Sequence, residues 1–202
     1  MCNSARYDEN YYKKACEGEE YSIDNLSPRL RHFEDWIAPQ LEGTVFDIGF
    51  GRGELTIRSA RLLQVNCVVA FDFSIDASTI LINNLKQESE LTRSKIWIVS
   101  ADIDFILPHL SLRCQHVILF DVIEHLYPDQ IQRLLRRLVS RLDLGGKVYI
   151  STPISKECTD AEHVWLARNS DDLKKLCPAG LSFQDRGWAG VGEDHLFELE
   201  RA

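Results

Sequence analysis

A short apolar run, residues 44–48, ends in Asp47-Ile48-Gly49-Phe50-Gly51-Arg52-Gly53 and passes straight into a segment of helical character, residues 54–63. Alternate glycines after a strand let the backbone turn sharply and approach a bound molecule closely. The helix that follows turns its unpaired amides toward the same place. This opening commits the chain to strand–helix units, and the alternation continues. Residues 67–71 read as a buried strand, Ser74 caps a helix to about residue 88, and residues 96–100 and 116–120 are the third and fourth strands. Pro128 starts the clearest helix, in which Ile131, Leu134, Leu135, Leu138, Val139 and Leu142 form one apolar stripe, and Asp143-Leu144-Gly145-Gly146 stops it. Residues 147–152 give a fifth strand, broken by Pro153. Ser170 caps a short helix to about residue 176, and residues 181–187 and 195–199 form two closing strands. Upstream, Ser27 and Pro28 predict a helix over residues 28–37, with Leu30, Phe33 and Ile37 at helical spacing. Short apolar strands separated by helices predict an α/β fold, a parallel sheet covered on both faces. In such sheets ligands bind beyond the carboxyl ends of the strands.

Composition narrows the partners. The chain has 202 residues, enough for one domain with a real core, and its 23 Lys and Arg against 31 Asp and Glu give a net charge of −8. An acidic chain argues against bulk affinity for phosphate backbones. No apolar run approaches the roughly 18 residues of a membrane span. The opening Met-Cys-Asn-Ser-Ala-Arg has no apolar signal segment, so a cytoplasmic location is expected. None of the six cysteines forms a Cys-x-x-Cys pair, and reduced thiols follow from that location.

The residues after each strand carry the chemistry. Asp47 stands two residues before the first glycine, where it can face a ligand cation. The dinucleotide spacing G-x-G-x-x-G would need glycine at position 54, which is Glu54. Asp72 ends the second strand, where a carboxylate can accept both ribose hydroxyls of a nucleoside. Asp102, after the third strand, either accepts from an adenine amino group or is a solvated loop acid. The fourth strand stops at Asp121, and Glu124 and His125 follow. An imidazole titrates near neutral pH, so His125 is the candidate base; the alternative is that it braces the loop.

Together these pieces resemble the class I S-adenosylmethionine-dependent methyltransferases. The matching residues are Asp47-Ile48-Gly49-Phe50-Gly51-Arg52-Gly53, Asp72, Ala101-Asp102, Asp121-Val122-Ile123-Glu124-His125-Leu126 and Leu144-Gly145-Gly146-Lys147-Val148-Tyr149-Ile150-Ser151-Thr152-Pro153, in the family's order. The resemblance implies a Rossmann-like, doubly wound sheet of seven strands, mostly parallel with an antiparallel last strand. It implies that Gly49, Gly51 and Gly53 pass under the methionine part of S-adenosyl-L-methionine. Asp72 with Phe73 would bind the ribose, Asp102 with Ile103 the adenine, and Phe120 with Asp121 the amino-acid end. Residues 1–40 would be a variable helical lid, in which Tyr11, Tyr12, Tyr21, Trp36, Arg29 and Arg31 are the candidates to touch cofactor, and residues 41–202 the methyltransferase domain.

A sulfonium methyl is already electrophilic, so the protein has to align a nucleophile, exclude water and take up a proton. His125, with Glu124 beside it, is expected to do the last. The expected acceptor is an oxygen or nitrogen of a small molecule. His163, Trp165, Arg168, Trp188 and His195 are candidates for its pocket, in a monomer or homodimer. Two alternatives stay open. Asp121, Glu124 and His125 form an acid-x-x-acid-His cluster that a helical turn would bring together, with His163 as a further donor. It looks like the cluster that binds a divalent cation in ubiquinone-pathway O-methyltransferases and in small-RNA 2′-O-methyltransferases. Those metal users carry glutamate where this chain has the shorter Asp121, and no metal ligand is assigned from the sequence. Arg133, Arg136, Arg137 and Arg141 then form either an RNA-binding stripe or the solvated face opposite the leucines. The other alternative is a non-catalytic cofactor-binding or regulatory protein of the same fold.

Overall fold

A computed structural model describes residues 11–12, 22–27, 30–155, 163–188 and 194–202. Its strands β1 (Gly43–Ile48), β2 (Val65–Asp72), β3 (Ile96–Ser100), β4 (Cys114–Phe120), β5 (Leu142–Pro153), β6 (Leu181–Trp188) and β7 (Asp194–Arg201) form a seven-stranded sheet in the order β3-β2-β1-β4-β5-β7-β6. β7 runs antiparallel to both of its neighbours, β5 and β6. The other recorded pairs, β1–β2, β2–β3 and β4–β5, are parallel. The expected α/β, Rossmann-like sheet with one antiparallel strand is therefore the observed one. Among the described residues, no helix is long and apolar enough to cross a membrane.

The chain divides into two compact units, Met1–Ile103 and Asp104–Ala202. The first contains β1–β3 with helices α1 (Glu54–Arg61), α2 (Ile75–Leu85) and α3 (Glu90–Ser94). Ser74 caps α2 as expected, its side chain accepting from the Ala77 amide at 3.2 Å. The sequence reading missed α3, which Ser89 caps through the Thr92 amide. The N-terminal helical stretch runs past Ile37 to Gln40, with Phe33 and Ile37 buried. Pro28, Arg29 and Tyr21 lie outside the described residues, and the hydroxyl of Ser27 caps nothing among them.

The second unit contains β4–β7 with α4 (Pro128–Arg141) and α5 (Ser170–Lys174). Pro128 occupies the first turn of α4, and Gln130 Oε1 accepts from the Tyr127 amide at 2.8 Å. Ile131, Leu134, Leu135 and Leu138 are all buried, each contributing roughly 1.5–3 kcal/mol of burial. Leu142, expected to end this stripe, instead starts β5 opposite Cys114, and the register breaks before Lys147 pairs with His116. Residues 143–146 therefore bulge from a strand rather than separate helix from strand. α5 is capped by Asn169, not by Ser170.

Candidate active site

In the first unit, the glycine turn is held by the acid at the end of β2. Gly49, Gly51 and Gly53 take φ of 72°, 56° and 84°. At Gly53 space adds to angle, since an added Cβ would lie 2.4 Å from Leu81 Cδ1 and that side chain would have to shift. Glycine there lets α1 start hard against α2. Asp72 is the brace of the turn. Its Oδ2 accepts from the Gly51 amide at 3.1 Å and its Oδ1 from the Ser74 amide at 2.8 Å. Burial nevertheless raises its pKa, the backbone donors offsetting only part of the desolvation. Asp47 does not face outward as expected. It is 3% exposed, and its Oδ2 accepts from Thr56 Oγ1 of α1 at 2.5 Å. Burial, reinforced by Asp72 and Glu54 and opposed by Thr56, pushes its carboxyl up to about 7. Asp102 is exposed and Ile103 half-buried just past β3, where the Ala101 amide donates to the Asp72 carbonyl at 2.9 Å. Phe73 is half-buried beside Asp72.

Tyr12, buried in a cluster with Phe50, Ile57, Ala77 and Leu81, lies against this turn. Of the other candidates for the N-terminal segment, Arg31 is exposed, and the Trp36 carbonyl accepts from Gln40.

In the second unit, β4 ends at Phe120, and Asp121 turns the chain with φ of 54°, its amide donating to the Ser151 carbonyl at 3.0 Å. A single 3-10 turn, Ile123–His125, follows. It turns Glu124 inward to 2% exposure, where its Oε2 accepts from Thr152 Oγ1 at 3.0 Å. Burial, with the negative charges of Asp121 and Asp194 adding to it, raises the Glu124 pKa well above the carboxylate range. The Glu124 carbonyl accepts from the amides of both Val164 and Trp165, at 2.9 and 3.2 Å. That pair of hydrogen bonds pins the loop after β5, and His163 meets His125 with ring centroids 5.2 Å apart. Donor atoms of Glu124, His125 and His163 all lie within 4.8 Å of one another. The convergent set is therefore this one, not Asp121, Glu124 and His125. His163 is the further donor that the sequence pointed to, but the backbone bonds that bring it there leave no mark in spacing.

Of the remaining acceptor-pocket candidates, the side chain of Trp188 lies outside the described residues, and Arg168 and His195 have acidic neighbours in their own unit. Arg168 pairs with Asp172 at 2.9 Å and braces α5. His195 Nδ1 lies 3.7 Å from Asp185 Oδ1. The arginine row of α4 is also occupied. Arg133 and Arg137 clamp Asp104 at 2.8 and 2.9 Å, Arg136 donates to Gln132, and Arg141 donates to the Pro108 carbonyl. Arg133, Arg137 and Arg141 hold residues 104–108 to the helix.

A family model described as "Methyltransferase domain" matches residues 45–146, just over half of the chain. The chain belongs to this methyltransferase family. The match spans the glycine turn, Asp72, Asp102 and the Asp121–His125 turn, and it makes the chain an S-adenosylmethionine-dependent methyltransferase of class I. No curated protein matches it in sequence. Solved structures match in fold. The glycopeptide N-methyltransferase MtfA complexed with S-adenosyl-L-methionine is 17% identical, with a TM-score of 0.68, 87% of this chain and 93% of that chain covered. Magnesium protoporphyrin IX methyltransferase (ChlM) from Synechocystis PCC 6803 with bound SAH is 15% identical, with a TM-score of 0.72, 98% and 97% covered. A putative rRNA-methylase from Clostridium thermocellum is 13% identical, with a TM-score of 0.66, 87% and 97% covered. These three names span very different acceptors, so the likeness fixes the methyltransferase's architecture and leaves its acceptor open.

Proposed function

We propose that this methyltransferase moves a methyl group from S-adenosyl-L-methionine to an oxygen or nitrogen of a small molecule. The observation that carries the reading is the tie between Asp72 and the Gly51 amide. It presents a carboxylate and a side-chain-free backbone together at the end of β2, which suits a ribose and its attached chain. Asp47, Gly49, Gly51, Gly53, Asp72, Phe73, Asp102, Ile103, Phe120 and Asp121 are the residues assigned to the cofactor. In the transfer, the acceptor lone pair forms the new bond to the methyl carbon and the sulfonium sulfur keeps the departing electron pair. The acceptor's proton goes to His125, with Glu124 next to it. The engaged arginines of α4 and the net charge of −8 favour a small molecule over RNA. A cytoplasmic location and a monomer or homodimer complete the reading. Titration of the protein with S-adenosylhomocysteine in a calorimeter is expected to show one site per chain. No heat at millimolar ligand would remove the proposal.

One observation favours a second reading of the same turn. Among the described residues a carboxylate and two imidazoles converge within 4.8 Å, a donor set that suits manganese or zinc. Thr152 holds the carboxylate from behind, as a supporting partner should. Glu124, His125 and His163 would hold the ion, which would polarise an acceptor oxygen. Manganese titrated into the protein is expected to bind at one site, and His163→Ala and Glu124→Gln are each expected to weaken it about tenfold or more. Manganese affinity equal to that of the wild type in both variants would exclude this site.

A further inference from the structure

Strand β3, Ile96-Trp97-Ile98-Val99-Ser100, ends the sheet and pairs only with β2 among the described residues. Its outer side has a fixed pattern. The Lys95 carbonyl accepts from the Val68 amide at 2.8 Å, and the Ala101 amide donates to the Asp72 carbonyl at 2.9 Å. Odd-numbered residues therefore turn their backbone groups toward β2. By the alternation of a ladder, the amides and carbonyls of Ile96, Ile98 and Ser100 point the other way, off the sheet. Ile96 and Ile98 pack their side chains on the cluster of Ala77 and Leu81 from α2. Alternation puts Trp97 on the opposite face, where it is 66% exposed. Edge strands are commonly blunted by lysine, proline or a bulge. β3 has no charged residue and no proline, and it keeps an unbroken register with β2. An open strand edge with an exposed tryptophan at its middle has the character of a contact surface.

The same pattern selects the occupant. An antiparallel copy of this strand, centred on Ile98, matches Ile98 with Ile98, Ile96 with Ser100 and Ser100 with Ile96. Each is a residue whose backbone groups face outward, so each match exchanges both of its hydrogen bonds. Trp97 then lies opposite Val99 of the other copy and diagonal to its Trp97, all on one face of the joined sheet, within reach of one another. The strand ends agree in charge. Arg93, exposed, and Lys95, half-buried, precede β3, and the exposed Asp102 follows it, so antiparallel pairing brings the basic end of each copy to the acidic end of the other. We propose that β3 is a dimerisation edge, pairing antiparallel about Ile98 with β3 of a second copy of this chain. A two-fold axis through Ile98 makes the contact self-complementary and closed, so it stops at two copies. It also takes the open edge of β3 out of reach of further strands.

Sedimentation equilibrium of the full chain, over about 1–100 μM, tests it. The wild type is expected to move from the 23.2 kDa monomer to twice that mass. Trp97→Lys sets like charges on neighbouring strands and removes the aromatic contact. Ser100→Pro removes an outward amide that the sheet of one copy does not use. Each variant is expected to weaken the dimer roughly tenfold or more. Circular dichroism checks that both fold, and the exposed site of Trp97→Lys keeps the test valid where Ser100→Pro is unstable. In the wild type, the amides of Ile96, Ile98 and Ser100 are expected to exchange with solvent more slowly as chain concentration rises. A wild type that stays monomeric at the highest concentration overturns the proposal. So does a dimer that Trp97→Lys leaves at full strength, or one that forms without slowing exchange in β3, since either joins through another surface. The measurement uses no cofactor. Failure here leaves the S-adenosylmethionine reading standing, and failure of that reading leaves the dimer.

Discussion

Asp72→Ala is expected to lower the affinity for S-adenosylhomocysteine by about 100-fold, close to 2.7 kcal/mol. Two effects add. A carboxylate that accepts from two ribose hydroxyls contributes charge-assisted hydrogen bonds, which are worth more than neutral ones. The same carboxylate holds the Gly51 and Ser74 amides, so its removal also loosens the turn on which the ligand would rest. Asp72→Asn separates the two. One amide oxygen can still accept from the turn, while the negative charge is gone. Its affinity should lie between those of wild type and Asp72→Ala. Calorimetry with each variant, paired with circular dichroism to confirm the fold, measures this. Unchanged affinity in Asp72→Ala would remove the ribose assignment.

The second large effect concerns stability. The Asp47 carboxyl rises from an ordinary 3.8 to about 7 because it is buried. A folded-state pKa above the unfolded one means that the folded chain holds this proton more tightly. The stabilising difference is complete below about pH 4 and is lost progressively as pH rises to 7. Above that the folded chain carries a buried charge, at a cost on the order of 4 kcal/mol. Asp47→Asn removes the titration while keeping an oxygen that can accept from Thr56. In urea unfolding at pH 5 and pH 8, the variant should gain on the wild type by a few kcal/mol at the higher pH and much less at the lower. Parallel pH profiles for the two proteins would contradict the assignment.

The sheet was legible because its strands are apolar runs that stop at acids. Val68–Phe71 and Val117–Phe120 are buried throughout, and Asp72 and Asp121 mark where each run meets its turn. What sequence could not decide was set by partners far along the chain. Leu142 lies four residues after Leu138 and continues a helical stripe equally well, and only pairing with Cys114 makes it a strand residue. Asp47 looks outward by position, and Thr56 turns it inward. The arginines of α4 have the spacing of a free basic face, but Asp104 and the Pro108 carbonyl, distant in sequence, take three of them. His163 reaches His125 because two backbone amides grip the Glu124 carbonyl, and backbone amides leave no mark in composition or spacing. Ser89 before α3 is an ordinary cap and legible as one, although the helix behind it is only five residues long.

Among the described residues, Asp121 is the one side-chain-bearing residue in the left-handed region. Most amino acids pay roughly 1–2 kcal/mol for that conformation, whereas aspartate, asparagine and glycine pay less. Descendants of this sequence thus have a narrow choice at position 121, but the choice includes a swap of carboxylate for amide at nearly constant shape. The path of the chain after β4 is protected from drift, while the charge at position 121, which acts on the neighbouring Glu124, can be removed without redrawing that path.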